Sequence, residues 1–331
     1  MPANELAFVV VSYNVRELLI GCLASIYAEL NQAPALNAAV WVIDNASSDG
    51  SADVVRQQFP AARLLVNIEN RGFAAANNQA LRAMGFEAGA PATDEQPRFV
   101  AFLNPDTTLE TGALRRWLAV AEEHPEAGVI GAGLRYPDGR FQHSAFAFPT
   151  LWQILLDFSP LHHRLLGSRL NGRYPRRLYA AGRPFAVDHP LGAAMLARRE
   201  AIATVGLFDE GYFIYAEEVD WCMRLKAAGW QALCAPAVTV VHHEAQSTRQ
   251  FKEAMFVALW KSRLRLFAKH YSPAFNWAAR RLVQLGLGRL RRQARALAAA
   301  GQLDAAALGR RLAAFEQVAN LLRQPPAAFL A

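Results

Sequence analysis

Four short apolar runs, each closed by a polar cluster and followed by a helical pattern, constrain this chain more than any other feature. Residues 6–11 are continuously apolar and rich in β-branched side chains, the mark of a strand buried on both faces. Leu18, Leu19, Cys22, Leu23 and Ile26 then recur at helical spacing over 17–30. A strand over 39–43, the loop "DNASSDGS" and a helix over 52–58 come next, then a strand over 64–66, a helix opened by Gly72 and a strand over 99–103. Strands alternating with helices predict parallel βαβ units in a doubly wound α/β sheet. Such sheets bind ligands beyond the carboxyl ends of their strands. The residues at those ends are Ser12-Tyr13-Asn14, Asp44-Asn45, Asn70-Arg71-Gly72 and Asn104-Pro105-Asp106. Gathered on one edge, they make a polar crevice in which Asp106 is one of several converging groups.

Of 331 residues, 53% are hydrophobic and 19% charged, a globular composition with room for one large domain and an appendage or for two modest domains. Three cysteines, Cys22, Cys222 and Cys234, form no CxxC pair, which argues against a disulfide framework or a thiolate zinc site and fits a reducing cytoplasm. The N-terminus lacks the basic start of a signal peptide, and no stretch approaches the ~20 apolar residues of a membrane span. The charge is uneven: residues 246–331 hold 15 Lys or Arg against 3 Asp or Glu, while the other 245 hold 20 against 25. A mildly acidic body thus precedes a basic tail, which suits nucleic acid or an anionic membrane surface.

Six segments occur in order: "VVVSYN", "VWVIDNASSDGS", "NRGFAAANN", "FLNPDT", "GLFDEGYFIYAEEVDWCMRLKAAGW" and "VVHHEAQS". Together they resemble the family-2 glycosyltransferases of the GT-A fold, especially the bacterial rhamnosyltransferase-like branch that builds surface polysaccharides. The resemblance covers roughly residues 6–247 and implies a GT-A domain over 1–247 with a basic helical extension over 248–331.

The resemblance implies roles residue by residue. Ser12, Tyr13, Asn14, Asp44, Asn45, Arg71, Gly72 and Asn77 fall on the nucleotide side. Asp44 would accept a hydrogen bond from the pyrimidine ring, against the plainer reading that Asp44-Asn45 caps the next helix. Asn77 has a structural reading of nearly equal weight. Asp106 matches the last carboxylate of the family's Asp-x-Asp motif, which holds Mg²⁺ or Mn²⁺ against the donor's diphosphate, with Asn104 standing where the first Asp is usual. His242 corresponds to a further metal ligand in some members, or is a structural histidine. Glu217, Glu218 and Asp220 crowd the start of a helix, where one or two acids would suffice to complement the dipole; the family's base falls on Glu218. Gly192, in "HPLGAAMLARR", lies in the segment beneath the acceptor.

The implied enzyme is an inverting transferase that takes a dTDP- or UDP-sugar, most simply dTDP-L-rhamnose, to a saccharide or lipid-linked acceptor. Two alternatives belong to other classes: a sugar nucleotidyltransferase, disfavoured because "SYNVRE" replaces a Gly-rich phosphate loop, and a non-catalytic glycan- or lipid-binding protein. For the tail, three readings stand: helices packed on the body, a homo-oligomer contact, or a cytoplasmic membrane surface engaged by arginines such as Arg291, Arg292 and Arg295. Nucleic acid is not expected. Residues 86–97 read as a mobile loop.

Overall fold

Strands β1 (Leu6–Ser12), β2 (Ala38–Asp44), β3 (Arg63–Val66) and β4 (Phe99–Leu103) lie parallel in the order β3-β2-β1-β4. Every residue of β1 and β4 is buried, which is why neither shows polar alternation, whereas edge strand β3 is partly exposed. Helices α1 (Arg16–Asn31), α2 (Ser51–Gln58) and α3 (Phe73–Ala83) return the chain between these strands. The computed structural model describes residues 5–87, 89–158, 167–243 and 252–330.

Beyond β4 the sheet becomes mixed. Strands β5 (Thr107–Leu109), β6 (Ala127–Arg135), β7 (Phe141–Gln142), β8 (Ala145–Phe146), β9 (Phe185–Val187), β10 (His189–Pro190), β11 (Ala194–Arg198) and β12 (Gln231–His242) follow. β11 inserts antiparallel between β4 and β6, β12 runs parallel to β6, and β5 pairs antiparallel with the far end of β12. α4 (Ala113–Glu123) packs on this half through Trp117, fully buried with its indole N–H on the Ile130 carbonyl at 3.0 Å. The buried Glu29 of α1 accepts from the backbone N–H of Gly112 at 2.7 Å and of Leu114 at 2.8 Å. It thereby satisfies orphan donors at the start of α4 with a negative charge at the positive dipole end. In the segment before β4, Gln96 is buried and bonds the Gly85 carbonyl at 2.7 Å and the Thr93 N–H at 3.0 Å.

Two compact units result. The sheet-bearing unit comprises the described residues of 1–147, 174–210 and 217–247, and the helical unit those of 148–173, 211–216 and 248–331. Within the helical unit, helices Lys252–His270, Pro273–Ala299 and Ala305–Arg323 pack with the short helix Leu151–Asp157. Ser272 caps the second of these, with Pro273 in its first turn, and Asp304 caps the third. Phe158 is stacked on Trp260 at 5.3 Å and lies over Gly286, where a Cβ would come within 2.1 Å of its ring. Some of the tail's arginines are spent inside the unit: Arg280 bonds the carbonyls of Leu322 at 2.8 Å and Gln324 at 2.7 Å, and Arg291 pairs with Glu316 at 2.7 Å. Arg281, Arg289, Arg292 and Arg295 are exposed. Among the described residues no helix is long and apolar enough to cross a membrane.

Candidate active site

Parallel register sets Ser12 beside Asp44 and Asp44 beside Val66, so the expected strand ends do share one edge of the sheet. The Asp44 carboxylate is buried; Oδ2 accepts from the Ser47 N–H at 3.1 Å, while Oδ1 has no protein partner. The hydroxyl of Ser12 is likewise buried and unpartnered. A buried acceptor left open at the mouth of a sheet costs free energy until a ligand supplies a donor. Capping belongs elsewhere. Asp49 accepts from the N–H of Arg16 at 2.8 Å and of Ser51 at 3.0 Å, at the first turns of α1 and α2.

Asn45 organises this pole. Its amide donates to the Asn70 side chain at 2.8 Å and the Gly72 carbonyl at 3.2 Å, and its oxygen accepts from the Arg71 N–H at 3.0 Å and from Asn67 at 3.0 Å. Asn14 takes up a left-handed backbone, with φ 53°, and its Oδ1 accepts from the Ser48 N–H at 2.8 Å. Tyr13 is half-buried and the Arg71 side chain exposed. Gly72 enters α3 with φ 82°, a conformation that side chains with a Cβ seldom adopt. Asn77 is buried and donates to the Phe73 carbonyl within its own helix at 2.9 Å. Its neighbour Asn78, unremarked in the sequence, makes the long-range contact: it donates to the Phe208 carbonyl at 2.8 Å and accepts from the Phe208 N–H at 3.0 Å.

At the end of β4, the Asn104 N–H bonds the Ala193 carbonyl at 2.9 Å and the chain turns through Pro105 to Asp106. The β5–β12 pairing sets Thr107 against His242. It brings His242 Nε2 to 3.5 Å from Asp106 Oδ1, both side chains being buried. His242 Nδ1 lies 3.3 Å from Oε1 of the buried Gln142. An N–H at Nδ1 bonded to that oxygen leaves the Nε2 lone pair facing Asp106, the orientation a ligand needs. Gln142 was not legible from the sequence, since nothing local marks it. Among the described residues no group of three or more His, Cys, Asp or Glu gathers, so this carboxylate–imidazole pair is what the chain offers a cation there.

The three acids of "EEVD" separate into different environments. Asp220 is fully buried and ion-paired at 2.9 Å with Arg224, which also donates to the carbonyls of Val205 and Leu207. Glu217 is buried and its Oε2 has no partner. Glu218 is half-buried and packs over Gly192, where a Cβ would lie 3.5 Å from its Cγ. Loss of solvent pushes the Glu218 carboxyl up to about 7. Burial, followed by the nearby Glu218 charge, raises Glu217 well above the carboxylate range. Two acids this close shed their protons in turn, so the second stays protonated when the first ionises. Glu218 and the turn at Asn104–Asp106 are linked through two consecutive residues, Gly192 under Glu218 and Ala193 bonded to Asn104.

The family described as Glycosyl transferase family 2 matches residues 7–205. The N-acetylglucosaminyl-diphospho-decaprenol L-rhamnosyltransferase of Mycobacterium tuberculosis is 33% identical over 253 residues, which are 74% of this chain and 79% of that protein. Rhamnosyltransferase WbbL of Escherichia coli is 29% identical over 199 residues, 60% of this chain and 70% of that one. Among solved structures, the mannosyltransferase PcManGT from Pyrobaculum calidifontis, in complex with GDP-Man and Mn²⁺, aligns with a TM-score of 0.53 at 20% identity, covering 99% of this chain and 85% of that one. GalNAc-T7 with UDP, GalNAc and Mn²⁺ aligns with a TM-score of 0.54 at 14% identity over 80% of this chain and 48% of that longer one, about half its length. At such identities the two structures speak to the fold alone, and it is the GT-A arrangement expected above.

Proposed function

We infer the reaction from one premise: this chain belongs to glycosyl transferase family 2 and is a nucleotide-sugar-dependent glycosyltransferase. The reaction we propose is transfer of L-rhamnose from dTDP-rhamnose, with inversion, to a hydroxyl of a lipid-diphosphate-linked saccharide in surface polysaccharide synthesis. The names of the two relatives support the sugar, and that of the mycobacterial one the lipid-linked acceptor.

Each pole has its part. The open Asp44 Oδ1 accepts a ring N–H of the pyrimidine, with Ser12 beside it. Asp106 and His242, one carboxylate and one imidazole, fit a divalent cation, Mg²⁺ or Mn²⁺, whose remaining positions the donor's diphosphate oxygens would fill. When bound, such an ion offsets the charge that builds on the departing diphosphate. Asn104, in place of a second acid, lowers the negative charge of the site and leaves an amide to orient the donor.

The observation that supports this chemistry best is the Glu218 carboxyl, raised to about 7 by burial and seated on Gly192. A base matched to neutral pH takes the acceptor proton as the C–O bond forms. The acceptor oxygen attacks the anomeric carbon, the bond to the diphosphate breaks, and its electron pair leaves with the nucleoside diphosphate. A single displacement needs one base and no covalent glycosyl-enzyme. Glu217, still protonated, is a neutral neighbour that keeps a second charge from the site.

Incubating the protein with a panel of nucleotide sugars and a synthetic lipid-diphosphate N-acetylglucosamine acceptor tests the reading. Transfer from dTDP-rhamnose alone, with the product's anomeric configuration opposite to the donor's, is expected. Transfer from a different nucleotide sugar overturns the donor, and retained configuration overturns the mechanism.

A further inference from the structure

The long helix Pro273–Ala299 presents two unlike faces. Asn276, Ala279, Val283, Gly286, Leu287 and Ala294 are buried. The opposite side carries Trp277, Arg281, Leu285, Arg289 and Arg292, spaced by four, four, four and three residues. Trp277 is 64% exposed and Leu285 72%, and the Arg281 guanidinium lies 5.8 Å from the Trp277 ring centroid. Single exposed apolar side chains are ordinary, but two in line, alternating with arginines, form the pattern of a helix lying in a bilayer interface. A cleft of about 510 Å³ opens beside this stripe, lined by Arg289 and Arg292 with Phe158 and Leu290. Asp157, its one acidic wall residue, is already paired with Arg263, so the cleft keeps a positive balance.

We propose that this stripe docks the helical unit on an anionic phospholipid bilayer. Trp277 and Leu285 enter the boundary between headgroups and acyl chains, and the Arg289–Arg292 cleft takes lipid phosphate groups. The proposal does not depend on the donor or acceptor assigned above. Charge selects the occupant: residues 246–331 hold 15 basic against 3 acidic residues, which complements an anionic leaflet. A second copy of the chain meeting face to face would set arginine against arginine. Nucleic acid would satisfy the arginines but leave the Leu285 side chain in water.

Co-sedimentation with vesicles tests it, using phosphatidylglycerol–phosphatidylethanolamine against pure phosphatidylcholine, at low and moderate salt. Wild type should bind the anionic vesicles, weaken as salt rises, and bind phosphatidylcholine at least tenfold less. Replacing Arg281, Arg289 and Arg292 together by Ala should lower affinity about a hundredfold, roughly fivefold per cation. Trp277→Ser with Leu285→Ser leaves the charge unchanged and should cost about tenfold or more. All these positions are exposed, so both variants should melt with wild type, and circular dichroism checks this. Binding that neither variant alters, equal binding to both vesicle types, or tighter binding to single-stranded RNA than to anionic vesicles would overturn the proposal.

Discussion

The Glu218 carboxyl yields the sharpest test, because the same group controls rate and stability in opposite directions. If it is the base, kcat/KM at saturating metal rises with pH and levels off above about 7. At pH 6 a single ionisation at that value leaves about a tenth of the plateau, and at pH 8 about nine-tenths. Glu218→Gln preserves shape, removes basicity, and should lower turnover roughly a hundredfold or more while donor binding by calorimetry stays near wild type. Glu217→Gln should keep the acid limb within about one unit, since Glu217 is still protonated when Glu218 ionises. Stability runs the other way. A carboxyl raised from 4.5 to about 7 holds its proton more tightly in the folded chain, so its contribution is full below pH 4.5 and is lost as pH rises through about 7. The shift corresponds to at most about 3 kcal/mol, and less for a half-buried group. Glu218→Gln should therefore melt several degrees above wild type at pH 8 and with it near pH 4. Near-normal turnover in Glu218→Gln, or an unchanged melting difference between the two pH values, would refute the reasoning.

Other perturbations have equally definite outcomes. Asp106→Asn should abolish most transfer and lower Mn²⁺ affinity in the presence of dTDP by about tenfold or more, read by calorimetry; full turnover in excess chelator would contradict the metal role. Asp44→Ala should weaken dTDP binding by about tenfold to a hundredfold, the loss of one charged hydrogen bond, with little change in kcat at saturating donor. Asp220→Asn should act through folding, since it removes the charge partner of the half-buried Arg224, which keeps only its carbonyl contacts: a loss of about 1–3 kcal/mol in denaturant melts, with kcat largely preserved at low temperature. Gly286→Ala should destabilise by about 1–3 kcal/mol despite the better helix propensity of Ala, because its methyl meets the Phe158 ring.

What the sequence determined by itself is local and periodic. The runs expected over 6–11, 39–43, 64–66 and 99–103 are β1, β2, β3 and β4 to within a residue at each end, because a doubly buried strand needs an unbroken apolar run and its end needs polar turn residues. The alternation also implied that Ser12, Asp44 and the "NPD" turn share an edge, since strands that run parallel in one sheet all end on the same side. Pairings across the chain were decided only by the tertiary structure. No periodicity announces that β11 inserts antiparallel between β4 and β6, or that β12 meets β5 and so brings His242 to Asp106. Nor does "EEVD" tell which acid is free: Arg224 stands four residues after Asp220, a spacing that allows their pairing, but only the tertiary structure buries Glu217 and sets Glu218 over Gly192. The same holds for the arginines, whose composition predicts a basic surface but not that Arg280 and Arg291 are bound to their own unit while Arg281, Arg289 and Arg292 face solvent. Type and spacing follow from the backbone's own period; protonation and partnership follow from which distant groups exclude water from a side chain.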